Sequence, residues 1–151
     1  MRSLTILLIS GFLFSCNSEE KKPTETAGTP AQKKEDTHAC YEGIHGRDTL
    51  LLELHRDGET ISGQLQYYIF EKDGNTGTLH GLEKGDTLLA YYTFRAEGRE
   101  SIRQVAFLHK DSSLYEGYGE MAEENGRMVF KKDKPLNFPL ERPLKKVNCS
   151  R

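Results

Sequence analysis

Five histidines, three cysteines and a set of tyrosines and phenylalanines are the residues of this 151-residue chain with the most chemistry to offer. His38, His45, His55, His80 and His109 are scattered at the ends of alternating segments or among polar residues, where solvation is the simplest account of each. There is no G-x-S-x-G elbow, no glycine-rich phosphate loop and no H-E-x-x-H pair. Ser101, in Arg99-Glu100-Ser101-Ile102, sits in no nucleophile elbow. Asp73-Gly74-Asn75-Thr76-Gly77 opens like a calcium loop, but its sixth position is not glycine and its twelfth is Lys84, where a bidentate carboxylate is required; it reads as a turn. No nucleophile–base pair can be named, which makes a hydrolase the least supported class, and the chain calls for no cofactor. Cys40 and Cys149 are natural disulfide partners if the chain is exported to an oxidising compartment. The rival is a metal site built from His38, Cys40, His45 and Cys149. His38-Ala39-Cys40 lacks zinc-ligand spacing and no second close pair exists, so the expectation is no metal.

The aromatic residues are placed more suggestively. Tyr67, Tyr68 and Phe70 close one segment, and Tyr91, Tyr92 and Phe94 close another, with Phe107 and Tyr115 following. Core packing is the simpler account of them. If they instead line a pocket at a barrel mouth, Tyr67, Tyr92 and Phe94 are the residues that would touch a ligand.

The segments that must position these groups alternate with a period of two. Leu50, Leu52 and Leu54 alternate with Thr49, Leu51, Glu53 and His55, and after Asp57-Gly58 the residues Ile61, Leu65, Tyr67 and Ile69 alternate with Ser62, Gln64 and Gln66. Asp-Gly between two such runs signals a hairpin. Further segments at 41–44, 76–82, 87–95, 101–110, 114–120 and 127–131 bring the total to about eight strands. Turns fall at Asp73-Gly74-Asn75, Lys84-Gly85-Asp86, Glu97-Gly98, Asp111-Ser112-Ser113 and Asn125-Gly126. Only Glu120–Glu124 is open to a helical turn. The fold class expected is all-β: an antiparallel meander closed into a small barrel, because closure removes exposed edges. Gly43, Gly63, Gly81 and Gly117 within the runs mark bends or close approaches. The proline-spaced run from Pro135 to Pro143 predicts an extended strap lying across the barrel, not a central strand, with Cys149 pinning it to the first strand.

The N-terminus carries an address. Arg2 precedes a short apolar run from Leu4 to Phe14, too short for a membrane span and suited to a secretory signal. Leu13-Phe14-Ser15-Cys16 resembles the lipobox of bacterial lipoproteins. That resemblance implies cleavage before Cys16, acylation of its thiol and amino group with chains such as palmitate, and stable anchoring through several acyl chains. Asn17-Ser18-Glu19-Glu20 resembles the surface-export signal of lipoproteins from Bacteroidota, implying an outer-membrane and outward-facing location. A charged linker is the plain alternative. Residues 16–39 are polar and of mixed sign, as a flexible tether requires. The divisions are therefore 1–15 signal, 16–39 tether and 40–149 barrel domain.

A formal net charge of −2 argues against a nucleic-acid binder that works by charge. Basic residues gather late, with Arg127, Lys131, Lys132, Lys134, Arg142, Lys145, Lys146 and Arg151 set against Asp133 and Glu141. The Tyr41-Glu42-Gly43, Ile61-Ser62-Gly63-Gln64-Leu65, 71–79 and Val147-Asn148-Cys149 segments look like small Bacteroidota lipoproteins of unknown function, which bring no catalytic residue. The outline is also similar to lipocalin-like lipoproteins, though a chain with no Trp lacks their Gly-x-Trp signature. The expectation is a monomeric, non-enzymatic, lipid-anchored envelope barrel that binds a small apolar ligand or an envelope protein. The alternative is an inhibitor or sensor presenting a loop to an envelope enzyme.

Overall fold

The computed structural model describes residues 37–96 and 98–149, with the side chain of Ala96 left out. Cys16, the signal segment and nearly all of the tether lie outside the described residues. The described chain forms ten strands and no helix: β1 Thr37–His45, β2 Asp48–Asp57, β3 Thr60–Tyr68, β4 Asn75–Lys84, β5 Thr87–Ala96, β6 Arg99–Lys110, β7 Ser113–Gly117, β8 Met121–Glu124, β9 Arg127–Phe130 and β10 Pro143–Val147. Each of β1 to β6 pairs antiparallel with the next, and β10 lies between β7 and β1. Eight strands thus close an up-and-down barrel.

Alternation sorts the side chains. Leu50, Leu52, Leu54, Ile61, Leu65, Leu79, Leu88, Tyr92, Val105, Phe107, Leu114 and Leu144 point inward and pack as one core. The hairpin turns use positive φ where the sequence supplies glycine, as at Gly58 (60°) and Gly85 (63°). Gly81 answers a different need. A Cβ there would stand 2.1 Å from the carbonyl oxygen of Leu89 and 2.4 Å from the Cα of Ala90, so only glycine lets β4 and β5 approach so closely.

Three elements depart from the sequence expectation. The 127–131 run is not a barrel strand. As β9 it pairs with β8, so Glu120–Glu124 contributes a strand and not a helical turn. The five-residue β7 covers only the Ala106–Lys110 half of β6, and β9 meets the uncovered half through a single bridge, Arg103 to Met128. The eighth barrel strand is β10. The strap runs extended over residues 135–139 between turns at 132–134 and 140–142, held by a two-way backbone pair between Tyr118 and Asn137 (2.8 Å each way) and by Phe138 against Gly117. At Pro143, however, the chain enters the ladder. Proline is tolerated at the first residue of a strand because no inward bond from its nitrogen is needed there, and Leu144 is the single side chain that β10 commits to the core.

Cys40 and Cys149 form a disulfide, with Cα atoms 5.2 Å apart across a sequence separation of 109. The bond sits beside the last pair of the β1–β10 ladder, Cys40 with Val147. Constraining so long a loop in the unfolded chain contributes about 4–5 kcal/mol in the chain-entropy treatment. The double variant Cys40→Ser/Cys149→Ser is therefore expected to melt more than about 10 °C lower than the oxidised parent. Thermal unfolding followed by circular dichroism, with and without reductant, checks this, and an oxidised parent that melts with the variant would contradict it.

Candidate functional site

The two ends of the barrel differ. At the end where β2, β4 and β6 finish, the interior is sealed by an ion pair: Arg56 Nε donates to Glu83 Oε2 at 2.9 Å, with Glu83 only 4% exposed and His109 3.9 Å away. Pairs this dry are kept together because a lone buried charge costs several kcal/mol. Arg56 Nη2 is the one buried side-chain polar atom among the described residues without a hydrogen bond.

The opposite end is open. A cavity of about 290 Å³ is bordered by His45, Asp48, Thr49, Leu50, Tyr67, Ile69, Asn75, Arg103, Glu116, Tyr118 and Arg142. Tyr67 joins it to an aromatic cluster. Tyr92 stacks on Phe94 with ring centroids 4.8 Å apart and meets Tyr67 at 5.8 Å. The guanidinium of Arg103 lies 5.3 Å from the Tyr67 ring, 5.9 Å from Tyr92 and 5.7 Å from Phe94, a cation held over three π faces. Glu116 stands beside it, and both its carboxylate oxygens accept phenolic hydrogen bonds, Oε1 from Tyr67 at 2.6 Å and Oε2 from Tyr118 at 2.7 Å. On the rim, Asp48 Oδ1 accepts from the Phe70 amide at 2.8 Å, and Arg47 lies over the Phe70 ring at 2.9 Å. These contacts fasten the β3–β4 connection down as a wall of the mouth.

These surroundings shift the titrating groups. Burial first, then the Glu116 charge and its hydrogen bond, push the Tyr67 phenol far above the ordinary range, against a smaller opposing effect of Arg103. Tyr118 is pushed up to about 12 by the same causes, and Tyr92 to about 12 by burial. His45 is lowered, chiefly by burial and then by Arg142.

The structure brings Tyr67, Tyr92 and Phe94 together, as their spacing suggested, but gives them different tasks. Tyr67 borders the cavity, whereas Tyr92 is wholly buried, its hydroxyl donating to the Leu65 carbonyl at 3.1 Å. Phe94, two residues nearer the mouth on β5, packs on Tyr92. The polar half of the mouth, Arg103, Glu116, Tyr118, His45 and Arg142, was not anticipated. Its signal was the phase of alternation: Arg103 shares the inward phase of Val105 and Phe107, and Glu116 that of Leu114.

A phenol whose pKa is raised keeps its proton in the folded state after the unfolded chain, at about 10, has lost it. The folded state therefore holds more protons between pH 10 and about 12. Stability from this source is complete below pH 10 and falls as pH rises through that window. Denaturant melts from pH 9 to 12 should show the decline. Glu116→Gln should move the phenolate absorbance of Tyr118 to lower pH, and an unmoved titration would argue against the carboxylate's part. No family model matches the chain, and no curated protein and no solved structure matches it.

Proposed function

We propose that this chain is a non-enzymatic binding barrel of the cell envelope, anchored by lipid at Cys16, that takes a small molecule with an apolar body and an anionic head at its open mouth. The observation carrying this reading is Arg103, a cation that borders the 290 Å³ cavity beside Tyr67 and lies against the Tyr67, Tyr92 and Phe94 rings. That volume is at the lower edge of the range of small-molecule sites, about 300–1,000 Å³. The acceptors of the mouth are engaged within the protein: Glu116 takes two phenols and Asp48 takes an amide. Arg103 and Arg142 both border the cavity, and two guanidinium groups there favour an oxygen-bearing anion in their company. His45 beside Glu116 is the kind of pair a hydrolase would use. With both Glu116 oxygens already accepting, binding is the better account of the pair.

The test is calorimetric titration of the protein with alkyl and aryl carboxylates, from phenylacetate to decanoate, beside the matching alcohols. Carboxylates should bind saturably and alcohols more weakly, and Arg103→Met should weaken carboxylate binding about 10–100-fold, the worth of a charge-assisted hydrogen bond. Equal binding of acid and alcohol, or an indifferent Arg103→Met, would remove the anionic head from the proposal. Bound molecules should be recovered chemically unchanged; a converted product would make the barrel an enzyme. For the anchor, Cys16→Ala is expected to move the protein from the membrane fraction to the soluble fraction, and a variant that still sediments with membranes would defeat it.

A further inference from the structure

On the outer face of the β1–β2 hairpin, away from the mouth, three side chains with metal-ligand chemistry converge. His38 and His55 stand directly opposite each other in the ladder, and Glu53, two residues before His55, faces the same side. Their rings stack face to face, with centroids 4.3 Å apart and planes 1° from parallel. Both Nε2 atoms turn to a single carboxylate oxygen: His38 Nε2 is 2.9 Å and His55 Nε2 3.5 Å from Glu53 Oε1. The donor atoms of all three lie within 4.8 Å of one another. A tetrahedral ion with bonds of about 2.0–2.1 Å spaces its ligands about 3.3 Å apart, so the two measured separations bracket the edge such an ion needs.

We infer that His38, Glu53 and His55 form a surface site for a borderline divalent transition ion, Zn²⁺ or Cu²⁺. Two imidazoles and one carboxylate suit these ions, whereas Ca²⁺ and Mg²⁺ require oxygen-rich shells. The backbone under the site is preorganised. Nine consecutive β1–β2 pairs fix the register, and Cys40, opposite Glu53, is tied to Cys149. Cys40 Sγ lies 4.0 Å from His38 Nε2, but both sulfurs are committed to the disulfide and leave the ligand set at three. Three protein ligands leave a coordination position open, as in sites that exchange a ligand and unlike closed structural sites. The side chains are between 41% and 47% exposed, so an ion can arrive and leave. Glu53 also borders a groove of about 380 Å³ with Gln64, Gln66, Tyr68 and the disulfide, where a molecule held by the open position would lie. The site thus takes up an ion reversibly and presents it at the barrel wall.

The test is calorimetric titration of the tag-free, disulfide-intact full chain with Zn²⁺, with electron paramagnetic resonance of the Cu²⁺ form. One equivalent should bind, with hyperfine structure from two imidazole nitrogens. His38→Ala, His55→Ala and Glu53→Gln should each lower affinity about tenfold or more. The positions are exposed, so these variants should melt with the parent, and His55→Gln is measured beside His55→Ala to separate lost ligation from altered packing. His80→Ala, on another strand, should bind like the parent. Absence of binding, retention of parental affinity in the His38 or His55 variants, or equal loss in His80→Ala would overturn the site.

Discussion

The barrel depends on a closure made by a strand of only five residues. Seven strands follow one another in chain order, yet β7 never meets β1; five residues of β10, reached by a strap that leaves and returns, fill the gap. Three register pairs join β10 to β1 and three join it to β7. Short ladders at the ends of a long loop are costly to form, because the chain must be brought together before any contact offsets the lost freedom. The disulfide stands at this seam. It turns the meeting of the first and last strands from a distant encounter into a local one, and with the barrel closed the remaining hydrogen bonds support one another.

Closure also decides where the interior can be empty. Leucines fill the barrel upward from the Arg56–Glu83 plug, and the filling stops at Tyr92, whose hydroxyl is satisfied by the Leu65 carbonyl. Above that level the inward positions change from aliphatic to Tyr67, Arg103 and Glu116, groups that must find partners in one another. A carboxylate placed between two phenols and near a guanidinium is a compact solution, since each polar atom offsets the desolvation of its neighbour. The same solution leaves cationic donors facing the opening.

Much of the fold was legible because strand alternation and glycine turns are local signals. The β2, β3 and β5 runs and their Asp-Gly and Lys-Gly-Asp turns stand plainly in the sequence. β10 was not legible, because Pro143, Lys145 and Lys146 conceal a pattern carried by Leu144 alone, and its place depends on a partner about a hundred residues away. β8 was hidden for a similar reason: Met121-Ala122-Glu123-Glu124 has helical propensity, and only pairing with β9 makes it extended. At the mouth, the aromatic cluster was visible in Tyr67, Tyr92 and Phe94. Arg103 and Glu116 were not, since a charged residue in a strand is ordinarily assigned to the solvent side. The His38–Glu53–His55 group needed the β1–β2 register, which only the turn at Gly46-Arg47 sets.

The chain joins the barrel at Thr37, on the rim sealed by Arg56 and Glu83, and the aromatic bowl opens at the far rim. Entry point and bowl thus stand at opposite rims. The depth of the aliphatic core separates the entry rim from the groups around the bowl, so substitutions at one rim can accumulate without disturbing the other.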